Sequence, residues 1–412
     1  MGQSEATLPE ETVVPPPEET VAKKPRFVWQ WTDIFWVLGI LLLIIGASGM
    51  WQRLTEGLAP TNLTSYVPWG LWVGFYDYLV WMEVGSLILF TTLVYIIGDT
   101  RLTKIKPIVL FTGFTVVTMG LLIVLLDLGH PERFWHVILY PDFGSMITWM
   151  VWLHSSYLLI LVAELFFVLR GGKEADKWLK WLAYISLPAG LALIIVSGSI
   201  FGVVATRPLW NTASLPLMFL ISALAAGSSL LLLLVVLFWG DKKSDEYHAV
   251  IKRLSRITVG LLITGVFAAG VIAFTMLYKG GGNPTRVEAL NLILTGPFWW
   301  SFWIIHVLFG VIIPLGLLIF ASNNPRLVGI GAFLSSVTFV AVTLNIVIPT
   351  LVTPELKGLA EAFVDPKLDP NYIPNMMEWM VLAFIFGIGS TLYGLGLRFL
   401  PLKSHHAEAT HE

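Results

Sequence analysis

Ten apolar runs, each long enough to cross about 30 Å of hydrocarbon as a helix, constrain this chain more than any other feature. They lie at residues 33–50, 68–98, 106–127, 143–169, 179–204, 212–239, 256–278, 293–321, 326–351 and 375–400. In a bilayer the backbone must satisfy its own hydrogen bonds, and runs this long and uniformly apolar do not suit barrel strands, so helices are the form they take. Composition agrees: 56% of the 412 residues are hydrophobic, 13% are charged, and the mean hydropathy is +0.78. The expected fold is an all-α integral membrane protein with ten transmembrane helices.

The chain has no cysteine, so it cannot itself hold an iron–sulfur cluster, a thiolate-bound zinc or a disulfide. Residues 1–26 are rich in Glu, Pro and Thr without apolar period and are read as a disordered tail, not a signal peptide. With the N-terminus in the cytoplasm, 18 of the 25 Lys and Arg fall inside. Only Arg53, Arg133, Arg207, Lys279, Arg286, Lys357 and Lys367 fall outside. That bias predicts a bacterial inner-membrane protein with both termini cytoplasmic. The last outer loop, 352–374, is acidic and Pro-rich, and Pro354-Glu355 is suited to open a short surface helix.

An internal repeat is visible. Trp69–Phe90 aligns with Asn211–Leu232 at an offset of 142, which sets Gly85-Ser86 against Gly227-Ser228. Gly144–His154 aligns with Gly296–His306 at an offset of 152, so His154 and His306 are equivalent. Helices two to five and six to nine then make two tandem, parallel four-helix bundles, with one extra helix at each end. The expected division is 27–60 for the first helix, 61–205 and 206–351 for the bundles, 352–374 for the outer loop, 375–400 for the tenth helix and 401–412 for a second cytoplasmic tail.

Polar groups are scarce in the spans and are therefore informative. The second run carries Asp77 and Glu83, the fourth His154 and Glu164, together a ladder of proton-exchanging groups from the outer mouth toward the cytoplasm. The second repeat has lost the acids, with Phe219 and Ala225 at the corresponding places, so one bundle is expected to be active and the other mainly structural. The plainer alternative is a set of neutral groups bonded to neighbouring helices, with His154 held by Tyr157 or a Ser. Between two apolar runs stands DLGHPERFWHVILYPDFGSM, residues 127–146. It reads either as an outer lid using His130 or Arg133, or as a loop pinned by an Asp127–Arg133 salt bridge. Gly280–Gly282 lacks a phosphate-loop signature and is read as an outer turn.

The segments LLDLGHPERFWHVILYPDFGSMITWMVWL, YVPWGLWVGFYDYLVWMEVGSLIL and TRPLWNTASLPLMFLISALAAGSSLL together resemble the polysulfide reductase membrane-subunit family, NrfD/PsrC. The resemblance covers roughly residues 60–350. Ten helices match its longer branch, which includes membrane subunits of periplasmic hydrogenases, menaquinone reductase and alternative complex III. The family implies a haem-free anchor in a respiratory electron-transfer complex, exchanging electrons between menaquinone or menaquinol and a periplasmic, ferredoxin-like iron–sulfur subunit. A further catalytic or multihaem cytochrome subunit is expected, with lipid around the chain and no nucleic-acid partner. On that reading the quinone lies near Tyr76, Asp77, Trp72 and His154, with Arg133 and His130 at its mouth. Asp77, His154, Glu83 and Glu164 exchange protons, and a cytoplasmic path through Glu164 and Glu83 would make the reaction electrogenic. Where the family often has a basic residue after the Leu-Gly pair this chain has His130, and Ser197 and Ser199 stand where some relatives supply a Tyr. No metal site and no haem are expected, since only His154 and His306 lie within spans. The rival reading is a secondary transporter, suggested by intramembrane carboxylates, the repeat, and Pro188, Pro216 and Pro314 in the runs.

Overall fold

The computed structural model describes residues 28–278, 283–354 and 365–402, with positions 358 and 362. The tail at 1–26, the turn at 280–282, Glu355 and the last ten residues lie outside the described residues. A compact unit begins at Thr32. Its helices are α1 (Asp33–Glu56), α2 (Leu71–Thr91), α3 (Lys106–Asp127), α4 (Met146–Arg170), α5 (Lys173–Gly202), α6 (Ser214–Phe238), α7 (Asp245–Leu277), the short α8 (Pro284–Leu294), α9 (Ser301–Phe320), α10 (Pro325–Val352) and α11 (Met376–Phe399). Among the described residues there are no strands, and all of these helices but α8 are long and apolar enough to span a membrane. The protein is a multi-pass, all-α integral membrane protein.

Polar punctuation explains the helix starts. Ser244 accepts from the Tyr247 amide, Asn283 from Thr285 and Arg286, and Asn324 from Arg326, each supplying an acceptor to an otherwise orphaned N–H. Asn375 and Glu378 form a reciprocal capping box at α11. One span starts later than its apolar run suggests: residues 293–300 are not part of α9, because α8 ends at Leu294 and Thr295-Gly296-Pro297 breaks the helix. Proline has no N–H to continue the ladder, and Gly296 folds back on the Asn291 carbonyl at 2.8 Å.

Helices in lipid gain nothing from hydrophobic burial against each other, so close backbone approach by small residues holds them. α2, α3, α4 and α5 pack in a ring, as do α6, α7, α9 and α10, and α2 crosses α6 between the rings. A Cβ on Gly85 would lie 1.9 Å from the Ala223 carbonyl oxygen, and one on Gly227 would lie 2.1 Å from the Ser86 nitrogen. The two repeat-related glycines thus form the crossing point itself. α1 runs along α11 on the same principle: Cβ atoms on Gly39, Gly46 and Gly394 would meet α11 or α1 at 2.2, 2.5 and 2.5 Å.

Buried charges tie the ends. Arg398 Nη1 reaches both Asp33 oxygens at 2.7 Å, joining α11 to α1. Arg207, 8% exposed, donates to the Thr353 carbonyl at 3.0 Å, and Arg53 donates to the carbonyls of Leu126 and Leu128 at 2.7 and 2.6 Å. Between α2 and α3, the buried Asp99 receives Arg101 Nε and Nη2 at 2.7 Å each and Arg253 Nη1 at 2.5 Å. The Arg101 hydrogen bonds, helped by the charges of Arg101 and Arg253, hold the Asp99 carboxyl below its usual range against the opposing effect of burial. A lowered folded value means that this contribution is complete above the unfolded value of about 3.9 and is lost as pH falls through the folded one. Thermal melts should therefore show Asp99→Asn less stable than the parent near neutrality, with the gap closing in acid below about pH 4. A gap that persists unchanged in acid would show that the ion pair is not its source.

Candidate functional site

Three polar side chains of the first ring, Tyr76, Glu83 and His154, come together where α2 faces α4. α2 begins at Leu71, which places Asp77 about 9 Å and Glu83 about 18 Å along the helix. Tyr76 and Glu83 are seven residues apart, two turns, and so share the face turned to α4. There His154, 2% exposed, has Nδ1 at 3.2 Å from the Tyr76 hydroxyl and Nε2 at 4.0 Å from Glu83 Oε2. The Tyr76 and His154 rings stack at 6.0 Å. His154 is therefore oriented by Tyr76, in place of the Tyr157 or Ser partner that its sequence neighbourhood suggests.

Asp77 sits one position on from Tyr76 and so turns away, toward α5, where Ser197 donates to its Oδ1 at 3.1 Å. Ser197 is the fifth-helix residue that spacing alone left without a role. Tyr157, one turn beyond His154 and 2% exposed, is within electrostatic range of both Glu83 and Glu164. Glu164, 6% exposed, lies within electrostatic range of Lys106, which approaches Asp176 at 3.8 Å. The order Tyr76, His154, Glu83, Tyr157, Glu164, Lys106 thus runs through the ring toward the end where α4 meets α5. Tyr157 and Lys106 complete it, and only the proximity of Tyr157 to His154 in sequence hinted at the first.

Several buried atoms in this cluster have no protein partner: His154 Nε2, both Glu83 oxygens, Asp77 Oδ2 and Trp81 Nε1. Buried polar atoms without partners are costly, on the order of 1–3 kcal/mol each, and call for an explanation. His154 Nε2 and Glu83 Oε2, 4.0 Å apart and both unpartnered, can between them supply a donor and an acceptor to a ligand oxygen that alternates between carbonyl and hydroxyl. Trp72, 2% exposed, spends its indole N–H on the Glu378 carbonyl at 3.0 Å, which fixes α2 to α11.

The stretch after α3 behaves differently from its salt-bridge reading. Arg133 and His130 are exposed and meet Glu132, at 3.6 and 3.1 Å. Among the described residues Asp127 makes no ion pair with Arg133, and the charges within its electrostatic range are those of Arg53 and Glu378, so the Asp127–Arg133 pair is corrected. The reason is local geometry: after Leu128 the chain leaves the helix and turns through Pro131–Arg133, carrying Arg133 outward while Asp127 stays in the last turn of α3. His130 and Arg133 are accordingly on the surface loop and not part of the Tyr76–His154–Glu83 cluster.

In the second ring, His306 lies on the wide π-helical segment Ser301–Ile312 of α9, with its ring against Phe302 and Phe339 at 6.2 and 5.9 Å. Phe219, the counterpart of Asp77, packs edge-on to Trp81 at 4.9 Å. Apolar packing has replaced the acid site there.

Comparison with known proteins agrees with this architecture. Residues 60–355 match the family described as polysulphide reductase, NrfD. A selenate reductase subunit of Mesobacillus selenatarsenatis is 31% identical over 410 residues, covering 90% of this chain and 95% of that protein. The Hdr-like menaquinol oxidoreductase integral membrane subunit of Archaeoglobus fulgidus is 23% identical, with 90% and 95% covered. The menaquinone reductase integral membrane subunit of Nitratidesulfovibrio vulgaris is 22% identical, with 88% and 90% covered. With the family match spanning most of the chain and ten helices long and apolar enough to span a membrane, the chain belongs to the NrfD family of polysulphide reductase membrane subunits.

Proposed function

We propose that the chain is the quinone-interacting membrane subunit of a multisubunit electron-transfer complex, with menaquinone or menaquinol held at the Tyr76–His154–Glu83 cluster. The observation that carries this reading is the orientation of His154: Tyr76 occupies Nδ1, leaving Nε2 turned to Glu83 with no other partner. Relatives whose names specify menaquinol or menaquinone chemistry along nearly their full length support the choice of ligand. When bound, the quinone would supply a two-electron, two-proton couple.

The chain's own residues handle the protons. Tyr76 holds the ring plane of His154, so Nε2 can donate to or accept from a ligand oxygen. Glu83, buried at 0% exposure, takes or returns that proton, and Asp77, steadied by Ser197, serves a second oxygen. Tyr157 and Glu164 continue toward Lys106, at the end where α4 meets α5. At the opposite end the loop presents Phe134, Leu139, Tyr140 and Phe143, each at least 49% exposed, as an apolar face suited to a protein partner. An iron–sulfur subunit seated there on the outer side, with both termini cytoplasmic, would receive or deliver the electrons, and a further catalytic subunit would complete the complex.

The test is the intact complex in sealed vesicles, with quinone turnover and membrane potential recorded together. Glu164→Gln is expected to reduce the potential generated per turnover, and Glu83→Gln to reduce turnover itself by at least about tenfold. Full potential and full turnover in both variants would overturn the proton route, and a complex indifferent to a menaquinone analogue would overturn the quinone assignment.

A further inference from the structure

α7 is the span least covered by the rest of the chain, and its outward stripe changes character along its length. Lys252 and Arg256 come first, followed at helical spacing by Gly260, Ile263, Phe267 and Phe274, all exposed. At its cationic end lies an open cleft of about 600 Å³ between α7 and the loop before α3, lined by Arg101, Ala249, Lys252, Arg253, Arg256 and Ile257.

Charge in this cleft is unbalanced. Arg101 and Arg253 both converge on the single carboxylate of Asp99. Glu246, less than two turns before Lys252, is taken by Lys104. The Lys252 ammonium has no acid partner among the described residues, and Arg256 uses only its Nε, on the Lys252 carbonyl at 3.3 Å. Four cations therefore face one acid at the water–hydrocarbon boundary. Below them the helix is bare at Gly260, where an added Cβ would meet nothing within 4 Å, and the large apolar side chains follow. From Arg256 to Phe267 is about 16 Å of helix, close to the hydrocarbon depth of one leaflet at about 15 Å.

We propose that this cleft binds the phosphate headgroup of an anionic phospholipid, whose acyl chains lie along the Gly260–Ile263–Phe267 stripe of α7. The cationic rim selects the phosphate and its net negative charge, and the flat glycine step admits the glycerol backbone beside the helix. Basic clefts at the polar edge of a transmembrane helix attract anionic headgroups with about 1 kcal/mol per cation. The apolar stripe distinguishes a lipid from a free anion, because only a lipid gains from both ends of the surface.

The full-length chain, purified in mild detergent and offered equal amounts of phosphatidylglycerol and phosphatidylcholine, provides the test by native mass spectrometry. Phosphatidylglycerol adducts should predominate, and Lys252→Gln with Arg256→Gln should weaken them by about thirtyfold while leaving phosphatidylcholine adducts unchanged. Lys177→Gln with Lys180→Gln, which removes two exposed cations at the start of α5, should leave phosphatidylglycerol retention intact. Equal loss in the two double variants would reduce the effect to net charge and overturn the site. Displacement of the lipid by millimolar inorganic phosphate would identify a small-anion site instead. A photo-crosslinker at Ile263 that captures a protein chain in the native complex would assign the stripe to a partner and also overturn the proposal.

Discussion

Replacing His154 with alanine in the assembled complex is expected to lower turnover of a menaquinol analogue by about a hundredfold or more, the usual range for loss of a positioned proton-transfer group. On the proposed reading the effect falls mainly on kcat, because the imidazole Nε2 would handle the moving proton. Tyr76→Phe removes only the group on Nδ1, 3.2 Å away, and leaves the imidazole in place. Its loss should be smaller, about tenfold, and should appear as a shift in the pH profile, since the imidazole then lacks its Nδ1 partner. His154→Gln retains a donor of similar reach, so recovery of part of the activity would separate a chemical role from a packing one. Turnover unchanged in His154→Ala, with the complex intact, would remove the cluster from the mechanism.

The second large effect is structural. Gly85→Val and Gly227→Val should each prevent the chain from reaching its folded state, because the new Cβ would stand 1.9 Å from the Ala223 carbonyl oxygen or 2.1 Å from the Ser86 nitrogen. Both obstacles are backbone, which cannot rotate aside, so α2 and α6 must separate along their crossing. Overpacking a rigid contact costs roughly 1–3 kcal/mol in ordinary cores, and a clash with backbone on a ring-to-ring interface belongs at or above the upper end. Gly316→Ala on α9 is the control: nothing lies within 4 Å of its Cβ position, and alanine is the better helix former by about 1 kcal/mol. Yield of monodisperse protein and its thermal midpoint in detergent would measure all three. Normal folding of Gly85→Val would show that the two rings are not held at that crossing.

Much of this is legible in the sequence. Ten apolar runs fall on ten spanning helices because hydrocarbon leaves the backbone no alternative, and the resemblance carried by residues 60–350 agrees with the family match at 60–355. Boundaries were less legible where a proline or glycine inside an apolar stretch stops a helix, as at Gly296-Pro297, since hydropathy averages across such a break.

The candidate site divides along the same line. That Asp77, Glu83, His154 and Glu164 are expensive in a membrane, and therefore informative, follows from residue type and depth alone. Which of them meet does not, because a helix turns about 100° per residue and one position decides whether a side chain faces α4 or α5. Tyr76 and Asp77, adjacent in the chain, thereby serve different partners, His154 and Ser197. The same geometry moved Arg133 onto an exposed loop and left Asp127 in the last turn of α3, although six residues of sequence made them natural candidates for a pair. Sequence by itself determined the solvent this protein lives in, the number of its spans and the residue types able to move protons there, since those depend on transfer free energies of single side chains. Only the tertiary structure decided the partners, because facing, crossing and closest approach are properties of helices packed together.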